Sequence, residues 1–190
     1  MSETKVFYPT SRAAWEEWLA QNHLSETAVW LVFHTKASGK FSLSWSEAVD
    51  VALCYGWIDS KKIKIDDETS HQFFSKRKPN STWSKINKEK VTRLIEGGRM
   101  QAAGLRCIEV AKQNGSWILL DEVEELIVPA DLKAEFDKYP ETQQYFESLS
   151  KSIRKMMLQW LVLAKRPETR QKRINEIAQC AKQNQKPKQF

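Results

Sequence analysis

The chain has 190 residues, a formal net charge of +6, and 41% hydrophobic and 28% charged positions. A chain of that length buries roughly 70% of the surface it exposes when unfolded, so folding requires neither a disulfide framework nor a structural metal, and the composition excludes the disordered class. Cys54, Cys107 and Cys180 are odd in number and widely spaced, which fits a reducing compartment and a cytoplasmic address; no apolar leader follows Met1 and no uninterrupted apolar run reaches the ~18 residues of a membrane span.

In chain order, a short extended start ends at Pro9, and Ser11 caps a helix whose Trp15, Trp18 and Leu19 share one face. Ala28–His34, AVWLVFH, is a β-rich apolar run and reads as a central strand. Ser44 and Glu47 form an S-x-x-E capping box ahead of Ala48, Val49, Ala52 and Leu53, with Gly56 as the left-handed stop. Trp57–Ile65 alternates imperfectly like a strand, Asp66-Asp67-Glu68 makes a turn, and His71–Lys76 returns as its partner. Pro79-Asn80-Ser81-Thr82 is a loop.

From Lys85 onward the reading is helical. Lys88–Glu96 is stopped by Gly97-Gly98, and Met100–Gln113 by Asn114-Gly115. Trp117–Val128 is acid-studded and irregular. Pro129 and Pro140 start short helices anchored by Phe136 and Tyr145-Phe146, Ser150–Lys165 is a strongly amphipathic helix, and Pro167 opens a last helix with Ile174 and Ile177 inward. The expected fold is α+β: a small three-stranded antiparallel sheet packed on N-terminal helices, followed by a larger all-helical part. It forms one domain over 1–190, with a sheet-containing part at 1–84, a helical part at 85–182 and a frayed tail at 183–190.

Charge is unevenly distributed. Trp57–Met100 holds eleven Lys and Arg against six Asp and Glu, an excess of +5. Residues 151–190 carry +9 and residues 119–150 carry −7. Such a field attracts nucleic acid, an acidic protein or a phosphorylated metabolite, and can equally be self-complementary within the fold.

The usual catalytic templates are missing: no GxSxG, P-loop, GxGxxG, HExxH or EF-hand pattern occurs. His23, His34 and His71 are isolated from one another, so no metal site and no cofactor is expected; the acidic group Asp121, Glu122, Glu124, Glu125 reads as a solvated loop before it reads as a hard-cation site. Asp59, followed by Lys61 and Lys62, is the one catalytic candidate, as a general base, weighed against a plain strand-edge ion pair.

Phe73, Phe74, Trp57 and Trp83 stand among clustered cations. Lys76, Arg77, Trp83 and Lys85 offer a guanidinium fork, a stacking face and a helix start for an anion, weighed against a Trp83 that only staples the loop to the core. Arg166, Arg170 and Arg173 gather at the N-terminal end of the last helix, where cations oppose the helix dipole unless an anion compensates them; the acidic 119–150 segment is one such compensator.

The stretches GWIDSKK, KRKPNSTWSKINKEKV with RLIEGGRM, and AKRPETRQKRI resemble the YdeI/OmpD-associated family, also described as bacteriocin-protection proteins, from about Trp15 to Ile177. The resemblance implies envelope association and a stress or antimicrobial-resistance role; it carries over no catalytic residues. This chain departs from it in lacking an apolar leader and in being basic.

The expectation is therefore non-enzymatic binding of an anionic or aromatic small ligand in a cleft lined by Trp57, Asp59, Lys76, Arg77, Trp83, Lys85, Arg166 and Arg170. Nucleic-acid binding is the first alternative, and an enzyme of unknown reaction using Asp59 the second.

Overall fold

The strands order as β1 (Val6–Phe7), β2 (Ala28–His34), β4 (Thr69–Lys76) and β3 (Trp57–Lys64) across one mixed sheet. The computed structural model describes residues 4–190. β2 and β3 each run antiparallel to β4, as the hairpin pattern predicts, but the sheet has four strands rather than three: Val6 and Phe7 add in parallel to Trp30 and Leu31. A two-residue strand is too short to show a period of two, which is why the sequence reads it only as an extended start.

Contacts gather the chain into two compact units, one formed by residues up to Ser81 with Ile86–Trp117, the other by Thr82–Lys85 with Ile118–Phe190. The expected division at 84/85 differs from this: α3 (Lys85–Glu96) and α4 (Ala102–Gln113) go largely with the sheet.

In the first unit, α1 (Arg12–Asn22) begins where Ser11 Oγ accepts from Ala14 N at 3.0 Å, and α2 (Trp45–Cys54) where Ser44 and Glu47 close the capping box. Trp15 and Leu19 of α1 and Ala48, Val49 and Ala52 of α2 are fully buried. Trp15 packs edge-on to Phe74 at 5.5 Å and donates from Nε1 to Ala48 O at 3.1 Å; Trp18 meets Trp57 at 5.9 Å. The face of the sheet bearing Val29, Leu31, Trp57 and Phe74 is thus the core face.

Gly56, at φ +74°, turns the end of α2 into β3. α4 lies tightly over this turn: a Cβ on Gly56 would meet Cys107 Sγ at 2.7 Å, and one on Gly104 would meet the Cys54 carbonyl oxygen at 2.4 Å. α3 is tied to α2 by Lys90, 7% exposed, whose ammonium donates to Asp50 Oδ1 at 2.5 Å, Ser46 Oγ at 2.6 Å and Ser46 O at 3.2 Å.

The second unit contains α5 (Asp121–Glu124), α6 (Ala130–Phe136), α7 (Pro140–Ser148), α8 (Lys151–Val162) and α9 (Pro167–Lys182). Leu132, Phe136, Phe146, Met157, Leu161, Ile174 and Ile177 form its core. Asp121–Glu124, expected as irregular, makes one helical turn. The tail does not simply fray: Pro187 is buried and Phe190 meets Trp160 edge-on at 5.7 Å. Among the described residues no helix is long and apolar enough to cross a membrane.

Candidate functional site

β3 and β4 bring four of the sequence-selected residues into one unit. Trp57 pairs with Lys76 across the two strands, and Arg77 continues the ladder by donating its N–H to Gly56 O at 2.9 Å. Trp57 is completely buried and Arg77 is 9% exposed. Burial pushes the Arg77 guanidinium down to about 10, against the opposing pull of Cys107 and Asp59. Burial likewise pushes the Cys107 thiol up, with Arg77 acting against it. Lys76 spends its ammonium on Leu24 O at 2.7 Å.

Asp59 is held in place by structure. Its Oδ2 accepts from Trp45 Nε1 at 2.8 Å and from Gln72 Nε2 at 3.1 Å. Gln72 is 5% exposed and also donates to Ser60 O at 3.2 Å. These bonds satisfy backbone and carboxylate oxygens exposed by a β-bulge: Asp59 pairs with Phe74 and Lys62 with Gln72, so that Ser60 and Lys61 together stand opposite Phe73.

The bulge also aims Lys61 at the other face of the sheet. Its Nζ lies 5.2 Å from the Trp30 ring centroid and 5.5 Å from that of Phe73, while Trp30 and Phe73 meet edge-to-face at 4.9 Å. The registers make Val6, Trp30, Phe73 and the bulge one row across all four strands. A second row, two residues along, pairs Val32 with His71 and His71 with Ile63, and beside it Tyr8 meets His34 at 5.0 Å. Val6 is 58% exposed and Ile63 38%, with Trp30, Phe73, His34 and His71 half-buried. This is an open aromatic face, opposite the face on which α1 and α2 pack. Burial, opposed by Asp66 and reinforced by His34, holds His71 below its ordinary value.

Sequence reasoning missed this face. It grouped Phe73 with Phe74, which adjacent strand positions send to opposite sides; Phe74 is fully buried. The available signal was that Trp30 and His34, and likewise His71 and Phe73, share one parity within their strands.

The other selected residues belong to the second unit. Trp83 is 2% exposed, and the Lys85 N–H donates to Glu124 Oε1 at 3.4 Å with its ammonium 3.6 Å from Glu125. Glu124 also pairs with Lys155, whose hydrogen bond first of all holds this carboxyl below its usual range. Arg166 is exposed and forms the cap position of α9.

Arg170 grips Asp131 of α6 with two bonds, Nε to Oδ2 at 2.5 Å and Nη2 to Oδ1 at 2.9 Å, and donates from Nη1 to Leu161 O at 3.2 Å. Arg173 stacks on the Trp160 ring at 4.8 Å and donates to the Trp160 carbonyl. Arg170 and Arg173 are thus compensated by an acid of the 119–150 segment and by the carbonyl end of α8, where positive charge is favoured. Among the described residues, no group of three or more His, Cys, Asp or Glu is placed to hold a metal ion.

The class defined by this geometry is an α+β protein whose sheet is covered by helices on one side and presents aromatic residues on the other. The chain belongs to the family described as a domain of unknown function, DUF8412, which matches residues 7–107. Residues 125–184 match the family described as Bacteriocin-protection, YdeI or OmpD-Associated. That second match contains the AKRPETRQKRI stretch, and GWIDSKK lies within the first. No curated protein and no solved structure matches the chain.

Proposed function

We propose that the protein is a non-enzymatic binding protein for anionic ligands that carry a π-surface, and that the open sheet face of the first unit receives them. The observation that carries this reading is the Val6–Trp30–Phe73–Lys61 row, in which half-buried aromatic rings stand beside an exposed ammonium. Rings of this kind stack with a flat ligand, and the cation meets its charge. The reading relocates binding from Trp57 and Trp83, whose burial leaves them no ring face to offer, to Trp30 and Phe73. Asp59 supports a binding rather than a catalytic role, because its Oδ2 is already committed to Trp45 and Gln72. The match of residues 125–184 to a family described as bacteriocin-protection supports a protective role as the setting of this proposal.

The test is a tryptophan-fluorescence titration with adenosine monophosphate and with an aryl phosphate, on the wild type and on Trp30→Leu. Saturable quenching that is lost in Trp30→Leu is the expected result. Quenching that never saturates, or that survives the substitution unchanged, rules the reading out.

A further inference from the structure

Resting on that reading of the open face, we infer that its ligand class is single-stranded nucleic acid, with bases stacked on the Trp30–Phe73 row and Lys61 on the adjoining phosphate. Three observations lead there. The surface is the outer face of a sheet, open at both edges: small-molecule sites are concave and enclose most of their ligand, whereas here Val6 and Ile63 on the two edge strands remain 58% and 38% exposed, with Val32 between them buried. A sheet face open at both edges suits a ligand that extends over it. The second level, two residues along the strands, carries His71 beside Ile63, so a π-surface recurs at a fixed interval, as bases do along a strand.

The charge is complementary as well. The open-face residues of β2, β3 and β4 include the cation Lys61 and no carboxylate; Asp59 has its Oδ2 bound to Gln72 of the core face, and Asp66, which accepts from Glu68 N at 2.8 Å and Thr69 N at 2.6 Å, acts on His71 from the turn beyond the strands. Lys61 rests over both rings. A base that stacks on Trp30 or Phe73 displaces that ammonium from the ring, and the phosphate attached to the base is where it goes. Duplexes fit the face less well, because their bases are already stacked on one another and present only edges.

The test is fluorescence anisotropy of a labelled single strand of about ten nucleotides, with the matched duplex and adenosine monophosphate as competitors, at low and physiological salt. It uses the full chain as wild type, Phe73→Leu and Lys61→Gln, each variant first shown to keep the wild-type thermal midpoint within a few degrees. The single strand is expected to bind more tightly than either competitor. Phe73→Leu should weaken it about tenfold, and Lys61→Gln should lower the slope of log affinity against log salt by about 0.7. Equal binding of duplex and single strand, or single-strand binding that neither substitution alters, overturns the inference. If adenosine monophosphate binds the face as tightly as the oligonucleotide, the proposed function stands and the nucleic-acid inference falls. If neither ligand binds, both fall.

Discussion

Lys90 and Asp50 form an ion pair at 2.5 Å with side-chain exposures of 8% and 13%, and Ser46 takes the remaining two protons of the ammonium. Asp50 has a second cation, Arg93, at 2.7 Å, but that side chain is 64% exposed. The two partners are therefore not equivalent. Asp50→Ala leaves Lys90 charged and buried beside the hydroxyl and carbonyl of Ser46 alone, and is expected to cost about 3–5 kcal/mol. Lys90→Met keeps Asp50 paired with Arg93 and should cost clearly less. Urea midpoints of the two variants measure the asymmetry; equal losses would contradict it.

Phe73 and Phe74 are neighbours in sequence on opposite faces of β4. Phe74→Ala removes a fully buried ring that packs on Trp15, at an expected cost of about 3–5 kcal/mol. Phe73→Ala, on the open face, should cost about 1 kcal/mol or less. Chemical denaturation of both variants decides whether that face is free of packing.

At the α2–β3 turn the backbone of α4 leaves no room for a methyl group. Gly104→Ala forces its Cβ onto the Cys54 carbonyl, a backbone atom that cannot rotate away, and should destabilise by about 1–3 kcal/mol. Gly56→Ala adds the strain of φ +74° to the Cys107 clash and should cost at least as much. A thermal midpoint unchanged in Gly104→Ala would show that α4 sits farther from α2.

The Arg170 hydrogen bonds hold the Asp131 carboxyl below the usual carboxylate range. Because the folded-state value is depressed, the stabilisation is present above the unfolded value and is lost as pH falls through the folded one. Asp131→Asn should therefore be less stable than wild type near neutral pH, by about 1 kcal/mol or less for a pair this exposed. The difference should shrink as pH falls below about 4. Paired denaturation curves at about pH 7 and about pH 3 read it directly.

His71 has the same sign for a different reason. Burial holds it below 6.5, so the folded protein keeps it neutral where the unfolded chain would take up a proton. Its contribution to stability is present above about pH 6.5 and is lost as pH falls through the lower folded value. His71→Gln should remove this part of the acid sensitivity, seen as a flatter plot of midpoint against pH below 6.5.

Local chemistry was legible where it acts through neighbours in sequence. The Ser11 and Ser44 caps, the Gly56 stop, the Asp66 turn and the Pro167 helix start each depend on a few consecutive residues and fall where their residue types place them. The site was less legible. Basic residues near Trp57 and Trp83 suggested a lined cleft, yet both indoles are buried, since a tryptophan beside lysines satisfies the pattern of a core residue as well as that of a stacking surface. The Trp30 strand read as a plain apolar run because an open aromatic face and a buried one have nearly the same composition.

Residue order alone carried the α+β class, the β3–β4 hairpin, the helices other than α5, the Ser11 and Ser44 caps, and the polarity of charge between residues 119–150 and 151–190, because each follows from periodicity, turn chemistry or simple counting. Tertiary structure alone decided that β1 joins the sheet as a fourth strand, that a bulge turns Lys61 onto Trp30 and Phe73, and that Asp131 and the end of α8 neutralise the arginines of α9. Those outcomes rest on pairings such as Val6 with Trp30 and Asp131 with Arg170. Residues that distant in the chain acquire a common environment only once the backbone has brought them together.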